Sequence, residues 1–142
     1  MTEQYCTFFV GDMYMGIAVR DVEEVLAYQP MTPVPLAPSV IEGLINLRGR
    51  IVTAIDLRLR LGLPARPPEH RPMNVVVSSR DEAISLLVDR IGDVIETHDN
   101  AIEAPPQTVQ PSRRELIRGV YKLDNQLMLI LDTDKALDIQ SS

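Results

Sequence analysis

Apolar residues fall in short runs separated by proline, glycine and charge, the punctuation of a β-protein. Tyr5 to Gly11 and Tyr14 to Arg20 predict two strands joined at or near Gly11-Asp12, with Thr7, Val10, Ile17 and Val19 suited to a pleated surface. Asp21 then predicts the cap of a short helix, Val22-Glu23-Glu24-Val25-Leu26, because Val22, Val25 and Leu26 share a face at helical spacing. Four prolines between Gln29 and Pro38 exclude a helix interior or a central strand and predict an extended connection. The run from Ile41 to Leu57 predicts two strands around a tight turn at Arg48-Gly49, where glycine is free to take positive φ. Leu57 to Gly62 reads as a helical turn with its stop, and Pro64 to Pro72 as a surface loop. Strands restart at Met73 to Ser79 and Ala83 to Asp89, with a turn at Ser79-Arg80-Asp81-Glu82. After Val94-Ile95 a polar, proline-bearing stretch runs from His98 to Pro111, and Arg113 to Leu116 suggests a helical turn. Strands Ile117 to Leu123 and Gln126 to Leu131 close around Asp124-Asn125, and Asp132 starts a terminal helical turn.

The two halves of this pattern resemble each other. Ile17, Val19, Val22, Glu24, Val25 and Leu26 align with Leu86, Val88, Ile91, Asp93, Val94 and Ile95 at an offset of 69. Ile41, Gly43, Leu47, Ile51, Val52, Ile55 and Asp56 align with Ile117, Gly119, Leu123, Leu127, Met128, Leu131 and Asp132 at an offset of 76. Matched elements in a fixed order predict an internal duplication. A unit of about 70 residues is too small for a sandwich and suits a small closed barrel without free edges; two such units sharing apolar surface would compensate for the weak core of each. The expected fold is all-β, with two small barrels and few short helices.

Composition narrows the function classes. The 142 residues carry 14 Lys plus Arg against 20 Asp plus Glu, a formal net charge of −6. With aromatics at only 4% and no Trp, neither a base-stacking surface nor a nucleic-acid footprint is expected. The start of the chain lacks a signal-peptide pattern and no apolar run approaches about 18 residues, so a cytoplasmic location is expected. Cys6, the only cysteine, has no disulfide partner and reads as a small buried hydrophobe.

No catalytic, cofactor or metal constellation stands out. His70 and His98 lack ligand spacing, and Asp132-Thr133-Asp134 reads as a helix start before a cation site. Glycine-rich phosphate loops and nucleophile elbows are missing, so an enzyme is not expected. The arginines are less bland: Arg48 and Arg50 flank Gly49, and Arg58 and Arg60 follow. A guanidinium at a glycine-bearing turn can project a planar donor fork toward a partner carboxylate, or simply stand in solvent. Gly43 reads either as a bulge or helix stop, or as a point of close approach by another chain's backbone.

The run from Ile41 to Arg58 closely resembles the central motif of CheW-like domains, I-x-G-x-x-N-L-R-G-x-I-x-P-V-x-D-L-R. Gly16 to Val25 looks like the family's F-A-I-x-x-x-x-V-x-E-V segment, and Leu87 to Ile95 its L-x-V-D-x-V-x-E-V segment. Ile117-Arg118-Gly119 and Leu127 to Asp132 match the closing portion, so the likeness covers a single domain over residues 5–138. Thr53-Ala54 departs from a proline-bearing pair and Met15-Gly16 from an aromatic position.

The resemblance implies two intertwined five-stranded SH3-like β-barrels. It also implies a non-catalytic adaptor that couples methyl-accepting chemoreceptor cytoplasmic tips to the regulatory domain of a CheA-type histidine kinase in receptor arrays, without cofactor or metal. A CheW-like component of a pili-based or other chemosensory pathway, or a competitive inhibitor of coupling, is the alternative. Carried over residue by residue, Val22, Glu24, Gly43, Asn46 and Arg48 are the candidates for receptor and kinase coupling. Arg48 would pair with Glu24 or with a receptor carboxylate, Gly43 would leave room for an incoming helix, and Val22 would bury against its apolar stripe.

Overall fold

Strands β1 (Thr2–Val10) and β2 (Met13–Ala18) form the hairpin expected around Gly11, whose φ of 58° the turn requires. The computed structural model describes residues 2–79, 82–98, 101–107 and 109–138; Arg80 and Asp81 of the expected turn lie outside them. After a single 3-10 turn, Val19–Asp21, the chain continues as β3 (Val22–Leu26), β4 (Ile41–Leu47), β5 (Arg50–Asp56) and helix α1 (Leu57–Arg60). Then come β6 (Met73–Ser79), β7 (Glu82–Val88), β8 (Arg90–His98), helix α2 (Pro111–Arg114), β9 (Ile117–Lys122), β10 (Leu127–Leu131) and helix α3 (Thr133–Leu137).

One expectation is overturned. Val22–Leu26 is a strand, and Asp21 ends the 3-10 turn instead of capping a helix. A five-residue helix has little stability of its own. The backbone of β6 offers a ladder instead, pairing Val22 with Val77 and, after a shift of register, Glu24 with Val76, Val25 with Val75 and Leu26 with Asn74. Burial along the segment alternates as it should in a strand, so the two valines of the supposed helical face serve a pleat. Its counterpart one repeat later, β8, is likewise a strand, pairing antiparallel with β1.

The strands form two five-stranded sheets, ordered β8-β1-β2-β10-β9 and β3-β6-β7-β5-β4. Each contains strands from both halves of the sequence, which is the intertwining of two SH3-like barrels. Exchanging β1–β5 for β6–β10 converts one order into the other, and each sheet has one parallel pair, β2 with β10 and β5 with β7.

The central strands are buried on both faces. Val75, Val77, Leu86 and Val88 join Phe8, Val10, Met15 and Ile17 of the other sheet in a core common to both barrels. The intervening Val76 and Leu87 point into their own barrel, against Ile45, Leu47, Val52 and Ala54. The first barrel is filled separately, by Tyr5, Ala18, Met128 and Ile130. Because period-two alternation divides each strand between two cores, neither barrel can be removed without exposing the other.

Candidate functional site

The β4–β5 hairpin closes through two residues, Arg48 and Gly49, with φ of 53° and 86°. Positive φ at both centres matches the right-handed twist of the flanking strands, at a steric cost for arginine that glycine does not bear. Asn46 fastens this turn: its Oδ1 accepts a hydrogen bond from Gly49 N at 2.9 Å. The result is an exposed tip that presents Arg48, 72% accessible, outward from the sheet.

Although β3 and β4 stand at opposite edges of their sheet, the tip reaches across to β3. Arg48 Nη2 donates to Glu24 Oε1 at 2.5 Å, and Arg50 Nη2 donates to Glu23 Oε1 at 2.6 Å. Adjacent residues of a regular strand face opposite ways. Here the ladder of β3 and β6 shifts register between Val22 and Glu24, and such a bulge turns both carboxylates toward the hairpin. The second pair, Glu23 with Arg50, was not among the residues singled out from the sequence. The tandem acids and the two arginines around Gly49 were the only signal for it.

Of the five expected site residues, Glu24, Asn46 and Arg48 come together at this tip. Val22 lies two residues before Glu24 and packs on the common core. Gly43 is buried three residues before Asn46, about 10 Å along an extended strand. A Cβ on Gly43 would stand 2.6 Å from the Thr32 carbonyl oxygen. Thr32 and Leu44 exchange two backbone hydrogen bonds, of 2.9 and 2.8 Å, so the close approach here is by the chain's own proline-rich link. Exposed apolar side chains stand nearby in sequence: Ile51 on β5 is 60% accessible, and Val25 on β3 is also exposed.

A second arginine site was not anticipated. Asp89, between β7 and β8, accepts three contacts from Arg58 at 2.9 to 3.1 Å, one from Arg66 Nε at 2.8 Å and one from Gly11 N at 2.6 Å. Arg66 also reaches Asp56 Oδ1 at 3.5 Å, with both side chains nearly buried, and Asp56 caps α1 by accepting from Arg58 N. Partial burial would push the Asp89 carboxyl up, but the hydrogen bonds from Arg58, Gly11 and Arg66 outweigh it and bring the group down to about 2. Arg60 serves structure as well, donating to the carbonyl oxygens of Lys135, Ala136 and Asp138 at the end of α3. Cys6 is buried and burial pushes its thiol up. His70 sits in the Pro64–Pro72 loop and His98 ends β8.

The comparisons can be set beside this geometry. A model of the CheW-like domain matches residues 4–141, virtually the whole chain. The chain belongs to the CheW-like family. Its relatives include "Chemotaxis protein CheW" of Bacillus subtilis, 34% identical over 99% of this chain and 90% of that one. A protein of the same description from Rhizobium meliloti is 31% identical over 89% of this chain and 82% of its own length. The crystal structure of the scaffolding protein TtCheW from Thermoanaerobacter tengcongensis superposes with a TM-score of 0.88 at 29% identity, covering 100% of this chain and 92% of that one. Within this CheW-like chain the tip is specific to one barrel. The repeat offsets place Asp93 and Asp124 where Glu24 and Arg48 stand, and two like charges make no such clasp.

Proposed function

We propose that this CheW-like protein is a non-catalytic chemotaxis adaptor that couples the cytoplasmic tip of a methyl-accepting chemoreceptor to the regulatory domain of a CheA-type histidine kinase. The observation that carries the reading is Arg48. An arginine held at positive φ on an exposed turn is a local strain of about 1 kcal/mol that folding alone does not demand, since asparagine or glycine would close the same turn more easily. Residues kept in such conformations are candidates for function, and a planar donor fork suits a carboxylate on an incoming helix.

In this reading Glu24 holds the Arg48 fork in place until a partner competes for it, and Asn46 sets the direction of the tip. Val22 anchors β3 to the core beneath the docking face. Gly43 acts through the proline-rich link that it seats, which forms one wall beside β4. Exposed Ile51 and Val25 supply apolar contact of the kind a helix-in-groove complex needs. Residues 5–138 are read as a single domain of two pseudo-repeated units, supported by the interconvertible sheet orders. Among the described residues no helix is long and apolar enough to cross a membrane. In this reading the protein works in the cytoplasm, joined to receptor arrays through its partners.

The test is a binding experiment with receptor cytoplasmic fragments and the kinase regulatory domain from the same cell, added separately and together. A ternary complex is expected. Binding to neither would overturn the adaptor reading, and binding to the kinase alone would replace coupling with an inhibitory or array-filling role.

A further inference from the structure

The end of β1, the start of β8, helix α1 and the Pro64–Pro72 loop surround an open pocket of about 440 Å³. Its walls carry four arginines, Arg58, Arg66, Arg71 and Arg90, in a chain whose net charge is −6. Arg58 and Arg66 are engaged by Asp89 and Asp56. Arg71 and Arg90 are not engaged by any carboxylate or carbonyl among the described residues. Each guanidinium lies instead over a ring: Arg71 over Tyr28 with 4.8 Å to the ring centroid, and Arg90 over Phe9 with 4.3 Å. Stacking fixes the plane of a guanidinium while leaving its N–H groups directed outward from its edge.

Asp89 and Asp56 hold Arg58 and Arg66, and Asp12 also acts on Arg58, whereas Arg71 and Arg90 leave unfilled donors at the cavity. We propose that this pocket binds a doubly charged oxyanion, a phosphate or phosphate monoester, between Arg71 and Arg90. The unfilled donors select this class: a phosphate group carries several oxygens that can accept from two guanidinium forks at once. Arg58 and Arg66 remain committed to Asp89 and add field without moving. The cavity volume accommodates a group larger than phosphate alone, so the anion can be the head of a small metabolite. The site is independent of the hairpin tip and of the docking reading.

The experiment uses the full chain, with inorganic phosphate and phenyl phosphate as probes in a low-salt zwitterionic buffer. Nitrogen-15 NMR titration should show saturable one-to-one binding, with shifts at the Gly11 and Phe9 amides and at the Nε groups of Arg71 and Arg90. Arg71→Gln and Arg90→Gln should each weaken binding about tenfold, as expected for loss of a charge-assisted contact. Lys122→Gln, a change at an exposed lysine paired with Glu103, should leave affinity unaltered. Both arginine variants should lower the thermal midpoint only slightly, since each loses one ring contact and no carboxylate partner. Absence of saturation up to about 10 mM, weaker than a 1 mM site by a further factor of ten, would overturn the proposal. So would binding that both arginine variants leave intact, which would indicate diffuse ion association.

Discussion

Two arginine–carboxylate sites lie within one stretch of this chain and behave as different physical objects. At the hairpin tip, Arg48 meets Glu24 with the arginine 72% accessible and the acid 26%. In the cluster around Asp89, Arg58 and Asp89 are each 18% accessible, Arg66 is 7% and Asp56 5%. Solvent screens the first pair and leaves it worth about 0.2–1 kcal/mol, whereas breaking a largely buried network strands charges that water cannot reach. The same chemistry thus serves exchange with a partner in one place and fixed structure in the other. Accessibility decides which, because an ion pair can be traded for another only where the intermediate state is solvated.

The comparison is most sharply broken by removing Asp89. Asp89→Ala should cost about 3 kcal/mol, read as a fall in the urea or thermal midpoint, because it removes the carboxylate that Arg58 and Arg66 share and leaves only Asp56 to balance them. An unchanged midpoint would show that the cluster is as screened as the tip. Next in size, Gly43→Ala places a methyl group against the Thr32 carbonyl oxygen and should cost about 2 kcal/mol, since backbone must move to accept it. Its measurement is again a midpoint, together with hydrogen-exchange protection of the Thr32 and Leu44 amides, which the displaced link would lose.

Acid provides a milder probe. Asp89 titrates below its unfolded value, so its contribution is complete above about pH 4 and drains away as pH falls through about 2. After allowance for partial exposure the loss is about 1–2 kcal/mol over that window, and the Asp89→Asn variant should lack this part of the acid limb. The smallest effect on stability is expected at the tip. Arg48→Ala should shift the midpoint by less than about 0.5 kcal/mol while weakening receptor binding. Arg48→Asn should do the same with a midpoint equal to or above the parent, since asparagine tolerates the left-handed conformation. A large drop in stability with a proportional loss of binding would instead make Arg48 and Glu24 an internal clamp.

Much of the fold could be read along the chain because its signals are local. Gly11 and Gly49 stand at turns where positive φ is needed, the prolines of 29–38 and 64–72 interrupt strands, and Asp56 and Asp132 cap the helical turns that follow β5 and β10. The segment Val22–Leu26 was misread for an equally local reason: its three apolar residues fit a helical face as well as a pleat. What settled it was the open ladder of β6, about 50 residues away in sequence. The aligned segment around Ile91 offered a correction, since Gly92 is a poor helix former in the position matching Glu23.

The candidate site was legible to a similar depth. The residues flanking Gly49 marked Arg48, and the resemblance of Gly16 to Val25 to the family's segment marked Glu24, although on an expected helix. That Glu23 also turns toward the hairpin depends on a bulge, which only pairing with a neighbouring strand creates. Nothing near Arg58 or Arg66 in sequence announces Asp89.

The sequence by itself determined that this is a strand-rich protein of two similar halves with an arginine at a tight turn, since alternation, turn chemistry and repetition act over a few residues at a time. Only the tertiary structure decided that each sheet takes strands from both halves and that β3 is a strand. It also separated the arginines into one exchangeable pair, one locked cluster and two ring-stacked donors. Those outcomes depend on burial and on partners brought together across the chain, and the environment of a charge is a property of the folded surface rather than of its neighbours in sequence.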